Sequence, residues 1–236
     1  MIGIIGAMDI EVDGIIEKMT DIEKRSISCV DFYKGKIGET DVVIAKAGIG
    51  KVNAALCTQT MILTYNPSLV INSGIAGGIG DNVCIGDLVV GVSCVQYDHD
   101  TTAIGDPLGT IFTNKGNLIN FPCDENYSNI FAEIAKDIYD GTIHKGVVAS
   151  GDQFLADGKK CLFLNEHFSA IAGEMEGASV CQVCYLNDVP FVVLRSISDN
   201  ANHSETVDYL TFAKSSAVKL TVLLTKVLPK INFKGE

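Results

Sequence analysis

The sequence predicts an α/β fold in which one open sheet is covered by helices. Short apolar runs typical of buried strands alternate with segments whose apolar residues recur every three or four positions, as they do on one face of a helix. The length of 236 residues and the hydrophobic content of 47% suit one sizeable domain, residues 1–236. The chain has no linker-like or repeated stretch that would divide it.

In the first half of the chain, glycine and proline mark the ends of the predicted elements. The first helix, residues 9–19, carries its apolar side chains on one face, and the second, residues 52–65, ends before Pro67. Two strands are joined by a turn at Gly38-Glu-Thr40. The predicted strands are residues 2–6, 28–37, 41–47, 69–73 and 88–95.

In the second half, a stretch without periodicity precedes the remaining elements. Residues 100–124 are rich in Gly, Pro, Asn and Thr and predict a long loop. Beyond it, the predicted helices are residues 126–139, 176–187 and 206–228, and the strands are residues 144–150 and 191–196.

The charge of the chain argues against two classes of partner. A net charge of −11 with only two arginines disfavours nucleic acid and anionic membrane surfaces. No apolar run approaches the ~18 residues of a membrane span. The apolar start of the chain lacks a preceding basic segment and is interrupted by Asp9 and Glu11, so we expect no signal peptide and a cytoplasmic location.

The cysteines and histidines do not predict a metal site. Cys181 and Cys184 form a lone C-x-x-C pair in an apolar helical pattern, which favours buried core residues over a redox or zinc site. The four histidines are scattered without ligand spacing. In a reducing compartment the eight cysteines should be mostly thiols. We therefore expect neither a metal nor a cofactor.

Three predicted strands end in small-residue turns, at Gly6-Ala7, Gly48-Ile-Gly50 and Gly74-Ile-Ala-Gly-Gly78. Such turns let backbone N–H groups approach a ligand closely, although each by itself also suits a tight strand–helix connection. None matches a dinucleotide or P-loop fingerprint. No arginine lies beside them, as a phosphate pocket usually requires, so the turns favour a mostly neutral ligand.

Acidic residues stand where an α/β protein binds its ligands. Glu174-Met-Glu176 opens a predicted helix, and Asp199 follows the last predicted strand. Ligands of α/β proteins bind beyond the carboxyl ends of strands, and a carboxylate there is costly unless it is paired or used.

Six stretches in order along the chain resemble the 5′-methylthioadenosine/S-adenosylhomocysteine nucleosidases, a branch of the nucleoside phosphorylase/hydrolase superfamily. They are Ile4-Ile-Gly-Ala-Met8 with Glu11, Ala47-Gly-Ile-Gly-Lys51, Asn72-Ser-Gly-Ile-Ala-Gly-Gly78, Ser150-Gly-Asp-Gln-Phe154, Glu174-Met-Glu176 and Ser196-Ile-Ser-Asp199. The resemblance implies a three-layer α/β/α fold around a mixed, partly barrel-like sheet. It also implies a homodimer in which a loop of the partner, matching residues 97–112, helps to close each site.

The same resemblance implies hydrolysis of adenine nucleosides that carry a 5′-thio substituent, in methionine salvage. Glu11 matches the acid/base that activates water, and Asp199 matches the acid that protonates adenine N7. The resemblance also implies substrate-binding roles for Met175 and Glu176 at the ribose hydroxyls, Phe154 and Leu155 at the adenine, Gly77 through its backbone, Arg195 and Ser198 as supporting polar groups, and Met8, Ile49 and Glu174 within the matching stretches. Ile75 and Val207 differ from the residues that family members usually carry at or near these positions. These differences bear on which 5′ substituent the site prefers.

The chemistry of the reaction suits two carboxyl groups in different protonation states. N-glycosidic hydrolysis passes through an oxocarbenium-like state, in which the leaving base takes a proton and a water loses one. Taken singly, the same residues have plainer interpretations. Glu11, Glu174 and Glu176 suit charges at helix starts, Asp199 a turn or cap residue, and Phe154 a core residue.

Three other functions are compatible with parts of the sequence. A phosphorylase of the same superfamily would need a cationic cradle for phosphate. A hydrolase of the same fold could act on another adenosine-type nucleoside, such as aminodeoxyfutalosine. A nucleoside-binding protein without catalysis would not need Glu11, Glu176 and Asp199 together.

Overall fold

Twelve strands and six helices make up the part of the chain that the structure, a computed structural model, describes: residues 1–80, 82–200 and 209–231. The strands are β1 (Ile2–Gly6), β2 (Thr20–Ile27), β3 (Val30–Ile37), β4 (Thr40–Lys46), β5 (Leu69–Gly78), β6 (Leu88–Gln96), β7 (Ile111–Thr113), β8 (Gly116–Leu118), β9 (Asn120–Pro122), β10 (Ile143–Ser150), β11 (Ala170–Glu174) and β12 (Phe191–Asn200). The helices are α1 (Asp9–Ile16), α2 (Lys51–Tyr65), α3 (Glu125–Ala135), α4 (Gly158–Phe168), α5 (Gly177–Leu186) and α6 (Tyr209–Val227).

The main sheet is partly closed on itself. Its strands run in the order β11-β10-β6-β12-β5-β1-β4-β3-β2, and β11 also pairs with β5. This second pairing closes β5, β12, β6, β10 and β11 into a five-stranded ring, from which β1, β4, β3 and β2 extend as an open sheet. Parallel pairs such as β1–β5 and antiparallel pairs such as β3–β4 both occur, so the prediction of a mixed, partly barrel-like sheet is confirmed.

Helices cover both faces of this sheet because successive strand residues point to opposite sides. On β4, Val43 and Ala45 pack into a core shared with α2 and α5, whereas Val42 and Ile44 pack into a second core shared with α1, α3 and α6. A third cluster lies between α4 and the ring. The predicted three-layer α/β/α arrangement is therefore confirmed.

Several predicted elements differ from the observed ones, each for a physical reason. The strand β2 was absent from the prediction because it is an edge strand whose residues are almost all exposed, so it lacks apolar alternation. The predicted loop at residues 100–124 contains a 3₁₀ turn at Thr102–Ile104 and the strands β7, β8 and β9, each of three residues and too short to show a period. Helix α4 and strand β11 were not predicted either.

Some predicted helices begin or end at other residues than the observed ones. The first and third predicted helices end three or four residues early, at Ile16 and Ala135. Glu174, predicted to open a helix, is the last residue of β11. The predicted start of the last helix, residues 206–208, lies outside the described residues.

The predicted turn at Gly74-Ile-Ala-Gly-Gly78 is instead part of β5, which is buried along its whole length. A glycine inside a strand often marks a close approach of another group. None of the helices in the described ranges is long and apolar enough to cross a bilayer.

Candidate active site

A cavity of about 590 Å³, counting its open mouth, lies where β5, β11 and β12 meet the start of α1. Eleven of the twelve predicted site residues line it: Met8, Glu11, Ile49, Gly77, Phe154, Leu155, Glu174, Met175, Glu176, Ser198 and Asp199. Arg195 does not.

Glu11 is held at the wall of the cavity by the backbone. One carboxylate oxygen accepts hydrogen bonds from the N–H groups of Ala7 (2.8 Å) and Met8 (3.0 Å), and the other accepts from Ile75 N–H (2.9 Å). A Cβ at Gly74 would lie 2.5 Å from Glu11 Oε1, so only glycine leaves room for the carboxylate. Burial raises the pKa of Glu11, while the three backbone donors oppose that rise.

Glu174 is a structural carboxylate at the edge of the cavity. Its oxygens accept hydrogen bonds from the backbone N–H groups of Glu176 (3.0 Å) and Gly177 (2.7 Å), from the Ser150 hydroxyl and from Arg195. With four protein donors, Glu174 has little capacity left for a ligand.

Arg195 lies behind that wall and is only 2% exposed. Its guanidinium contacts Glu174 and donates to both the side chain and the backbone of Asn72. Its position therefore suits an internal cation that holds Glu174 and balances the carboxylates around it, rather than a group in contact with a ligand.

Glu176 faces the cavity from the residue that precedes α5, and it has fewer partners. Its Oε1 accepts a hydrogen bond from Gly50 N–H at 2.8 Å, in the turn between β4 and α2. Burial, followed by repulsion from Glu174, raises the pKa of Glu176 to about 7. Among the described residues, none donates to its second carboxylate oxygen, which can therefore accept from a ligand hydroxyl.

Ser198 and Asp199 line the same cavity although they are consecutive residues of β12. Neighbouring strand residues normally point to opposite faces. The register with β5 shifts between Ile197 and Asp199, and a bulge of this kind turns side chains toward a common site. The Ser198 hydroxyl donates to Asp199 Oδ1 at 2.8 Å. Burial raises the pKa of Asp199, and the bond from Ser198 partly opposes that rise.

The mouth of the cavity is apolar and exposed. Phe154 is 62% exposed and Ile49 is 53% exposed, although both border the cavity. Their two loops are tied together by Asp152, which accepts from Lys51 N–H (2.9 Å), and by Asp98, which accepts from Asp152 N–H (2.9 Å) and pairs with the Lys51 ammonium (2.6 Å). We call Lys51, Asp98 and Asp152 the mouth clasp.

Five further residues line the cavity that the sequence did not single out as binding residues: Ala7, Ile75, Ala76, Gln153 and Gly173. Four of them fall inside the stretches that resemble the nucleosidases, so their location was available from the sequence. Gly173 directly precedes such a stretch. Val207 lies outside the described residues.

Comparisons with known proteins agree with this geometry. The family model described as the phosphorylase superfamily matches residues 1–229. The 5′-methylthioadenosine/S-adenosylhomocysteine nucleosidase of an Exiguobacterium species is 36% identical over 231 residues, which cover 96% of this chain and 98% of that protein. The chain belongs to this nucleosidase family within the phosphorylase superfamily. The family resemblance predicted from the sequence is thereby confirmed.

Two solved structures are similar in fold to this chain. The Neisseria meningitidis 5′-methylthioadenosine/S-adenosylhomocysteine nucleosidase in complex with methylthio-immucillin-A has a TM-score of 0.91 at 29% identity, with coverage of 98% of this chain and 99% of the other. A futalosine hydrolase mutant of Helicobacter pylori has a TM-score of 0.90 at 35% identity, with the same coverage of both chains.

Proposed function

We propose that this nucleosidase-family chain hydrolyses the N-glycosidic bond of 5′-methylthioadenosine and S-adenosylhomocysteine, releasing adenine and the 5-substituted ribose. One observation carries the proposal. Glu11 and Asp199, the two carboxyl groups that the reaction needs, line the same cavity.

Asp199 is proposed as the acid that protonates the leaving adenine at N7. An acid must hold a proton near neutrality, and the raised pKa of this buried carboxyl favours that state. Ser198 donates to Oδ1, so a proton on the other oxygen can point toward the base. Protonation of adenine makes it a neutral leaving group as the glycosidic bond breaks.

Glu11 is proposed as the base that takes a proton from the attacking water. Its backbone donors keep the carboxylate in one orientation, and Oε1, which accepts only from Ile75 N–H, retains a lone pair for a water hydrogen. A pKa raised by burial makes the carboxylate a stronger base than an exposed one.

Glu176, Met175, Phe154 and Leu155 are proposed to hold the two halves of the nucleoside. The free Glu176 oxygen can accept from ribose hydroxyls, and a charged acceptor strengthens such bonds. Phe154 at the mouth can stack on the adenine ring, with Leu155 and the Gly77 backbone at its edge. Glu174, Arg195 and Ser198 act as positioning groups behind this set.

A phosphorylase reaction is less compatible with the cavity. Within the described part of the chain, no lysine or arginine lines the wall. A phosphate dianion beside Glu11 and Glu176 would be repelled by both carboxylates.

The test is incubation of the protein in phosphate-free buffer, without added metal, with methylthioadenosine, S-adenosylhomocysteine or inosine. We expect free adenine from the two adenine nucleosides and little free base from inosine. Base release that requires phosphate would establish the phosphorylase reaction instead.

A second candidate substrate is a futalosine-type nucleoside, and the similarity to the Helicobacter pylori futalosine hydrolase favours it. Such a substrate would use the same contacts to its purine and ribose as methylthioadenosine, and would differ in its 5′ substituent. Aminodeoxyfutalosine added to the same substrate panel, compared by kcat/KM, decides which tail this chain prefers.

We further propose that the chain works as one domain, as a homodimer and in the cytoplasm. The single-domain proposal is supported by one main sheet and by a family match over residues 1–229. The dimer is supported by exposed apolar side chains on α2, Val52 and Leu63, and by Ile104 in the loop at residues 97–112. Eight cysteines, six of them buried, suit a reducing location.

A further inference from the structure

Three buried cysteines meet in the core at a place that the proposed reaction does not use. Cys94 lies on β6, Cys123 follows β9, and Cys181 lies on α5. Their three Sγ atoms lie within 4.8 Å of one another. Cys94 and Cys181 are fully buried, and Cys123 is 9% exposed. We call these residues the thiol trio.

The core side chains around the thiol trio are mostly apolar and leave room for the sulfur atoms. The charges that reach it are those of Arg195 and Glu174, which form an ion pair with each other. All three cysteines belong to the core that contains Phe121 and Val193. A Cβ at Gly91 would lie 3.3 Å from Cys123 Sγ, so glycine at that position keeps the space open. Among the described residues, no histidine, carboxylate or further cysteine joins the set as a fourth ligand.

The spacing fits three sulfur atoms bonded to one central atom. Three sulfur atoms bonded at ~2.3 Å to one centre stand about 4.0 Å apart when the centre is planar and about 3.5 Å apart when it is pyramidal, as a trivalent metalloid is. The three Sγ atoms lie within 4.8 Å of one another, so the cysteine side chains must move closer together for all three to bond to it. The number of donors points to a three-coordinate centre, whereas structural zinc requires four.

In this apolar core, a bound atom that leaves the site with no net charge is favoured over one that leaves it charged. Three thiolates around Cu⁺ or Zn²⁺ leave a net negative charge, which is costly to bury in an apolar core. Three thiolates around a trivalent metalloid leave a neutral centre. We propose that the thiol trio is a binding site for a trivalent thiophilic metalloid, with arsenite as the probe, independently of the nucleosidase reaction.

The binding step is balanced and involves no redox change. Arsenite, As(OH)₃, reacts with three thiols so that three S–H bonds and three As–O bonds break. Three As–S bonds form, and three water molecules leave with the thiol protons and the arsenite hydroxyls. Arsenic stays trivalent and sulfur stays at the thiol level. Cys123, as the partly exposed member, is the expected first point of attack.

The first measurement uses the whole native protein. After incubation with arsenite and removal of excess by gel filtration, native mass spectrometry should show one arsenic per chain, with a mass gain equal to one arsenic minus three hydrogens. X-ray absorption should show three sulfur neighbours. Because the bound atom joins β6, the end of β9 and α5 in the folded state only, arsenite should also raise the unfolding temperature.

A matched pair of variants on one helix then tests the assignment. Cys181→Ala removes one trio ligand, whereas Cys184→Ala removes a cysteine of α5 that is equally buried but outside the trio. Linked ligands typically gain 10²–10⁴ in affinity, so Cys181→Ala should weaken arsenite binding by about 100-fold or more. Cys184→Ala should leave it unchanged.

Three results would overturn the proposal. The first is loss of all arsenic on gel filtration of the unmodified protein. The second is two sulfur neighbours with equal sensitivity to Cys181→Ala and Cys184→Ala, which would assign binding to the C-x-x-C pair. The third is tight retention of Zn²⁺ but not of arsenic. The absorption measurement needs no variant, so the test stands even where a core substitution unfolds the chain.

Discussion

At the scale of single residues, the orientation of the Glu11 carboxylate is fixed by three backbone N–H groups. We expect Glu11→Gln to lower kcat by ~10²–10⁴, because Gln cannot take a proton from water. Gln has only one oxygen, so it also loses at least one of the three backbone hydrogen bonds, which costs about 1–3 kcal/mol of stability. Removal of the buried charge opposes that loss at a pH where Glu11 is ionised. Steady-state kinetics with thermal unfolding measures both effects.

Binding of a non-hydrolysable substrate analogue should largely survive the Glu11→Gln change, since Glu11 is proposed to act on the water and not to bind the nucleoside. Asp13→Asn, an exposed acid on the same helix, is the matched control and should behave like the unmodified protein. Near-native kcat in Glu11→Gln would leave Glu11 as a helix-start charge only.

Asp199→Asn should be as damaging as the Glu11 change, but in a way that depends on the leaving group. Asn can donate a hydrogen bond to N7 but cannot transfer a proton. A nitrophenyl riboside, whose leaving group departs without protonation, should recover much of the lost rate. The measurement is kcat/KM for both substrate types in both proteins, and a uniform loss would remove Asp199 from the acid role.

Ionisation of Glu176 should make the free energy of unfolding depend on pH. Its pKa is raised to about 7 in the folded chain, so the unfolded chain ionises first as pH rises. The free energy of unfolding should therefore fall between about pH 5 and 8, by up to about 3 kcal/mol from this group.

Glu176→Gln removes the ionisation, so the ligand-free variant should be more stable than the unmodified protein at pH 8 and should bind substrate less tightly. Thermal unfolding at pH 5 and pH 8 checks this. The exposed Glu166→Gln is the control. An unchanged pH dependence in Glu176→Gln would show that Glu176 does not carry the effect.

At the scale of elements, the mouth clasp joins the two loops that border the cavity. Asp98 binds both Lys51, the first residue of α2, and the backbone of Asp152, close to Phe154. The Ser179 hydroxyl on α5 donates to Lys51 O at 2.7 Å, so the clasp also reaches the helix that follows Glu176.

We expect Asp98→Asn to raise KM more than it lowers kcat, since the mouth clasp contacts the loop of Phe154, the proposed adenine-stacking residue, and not Glu11 or Asp199. A partly buried charged network is worth about 1–2 kcal/mol, or roughly 5–30-fold in kcat/KM. The control is Glu133→Gln on α3, which removes an exposed ion pair with Lys136. It should change neither KM nor kcat. A fall confined to kcat would contradict a positioning role.

At the scale of the whole molecule, the proposed dimer should depend on α2 and the loop at residues 97–112. Leu63 on α2 is 76% exposed and Ile104 in the loop is 81% exposed. We expect Leu63→Asp or Ile104→Asp to dissociate the dimer and to lower activity, because the partner loop is proposed to close each site. Sedimentation at assay concentration measures the oligomeric state.

The control for the dimer is Val218→Asp on α6. Val218 is 64% exposed, but α6 packs on the opposite face of the sheet from α2. This variant should remain dimeric and active. A fully active monomer of the unmodified protein would contradict the dimer.

Local sequence patterns were enough to predict one sheet covered by helices. Continuous apolar runs mark buried strands such as β1 and β4, and an apolar face marks α1. The motifs around Glu11, Glu176 and Asp199 predicted a shared site through their resemblance to the nucleosidases.

The closure of the ring and the partners of each polar group could not be predicted from local sequence patterns. The β11–β5 pairing, the bulge at Ser198 and the burial of Arg195 behind Glu174 all depend on contacts between residues far apart in the chain. The thiol trio likewise joins residues 94, 123 and 181. Sequence patterns report the burial preference of each residue, whereas partners, pKa shifts and cavity shape arise from the non-local packing of whole elements.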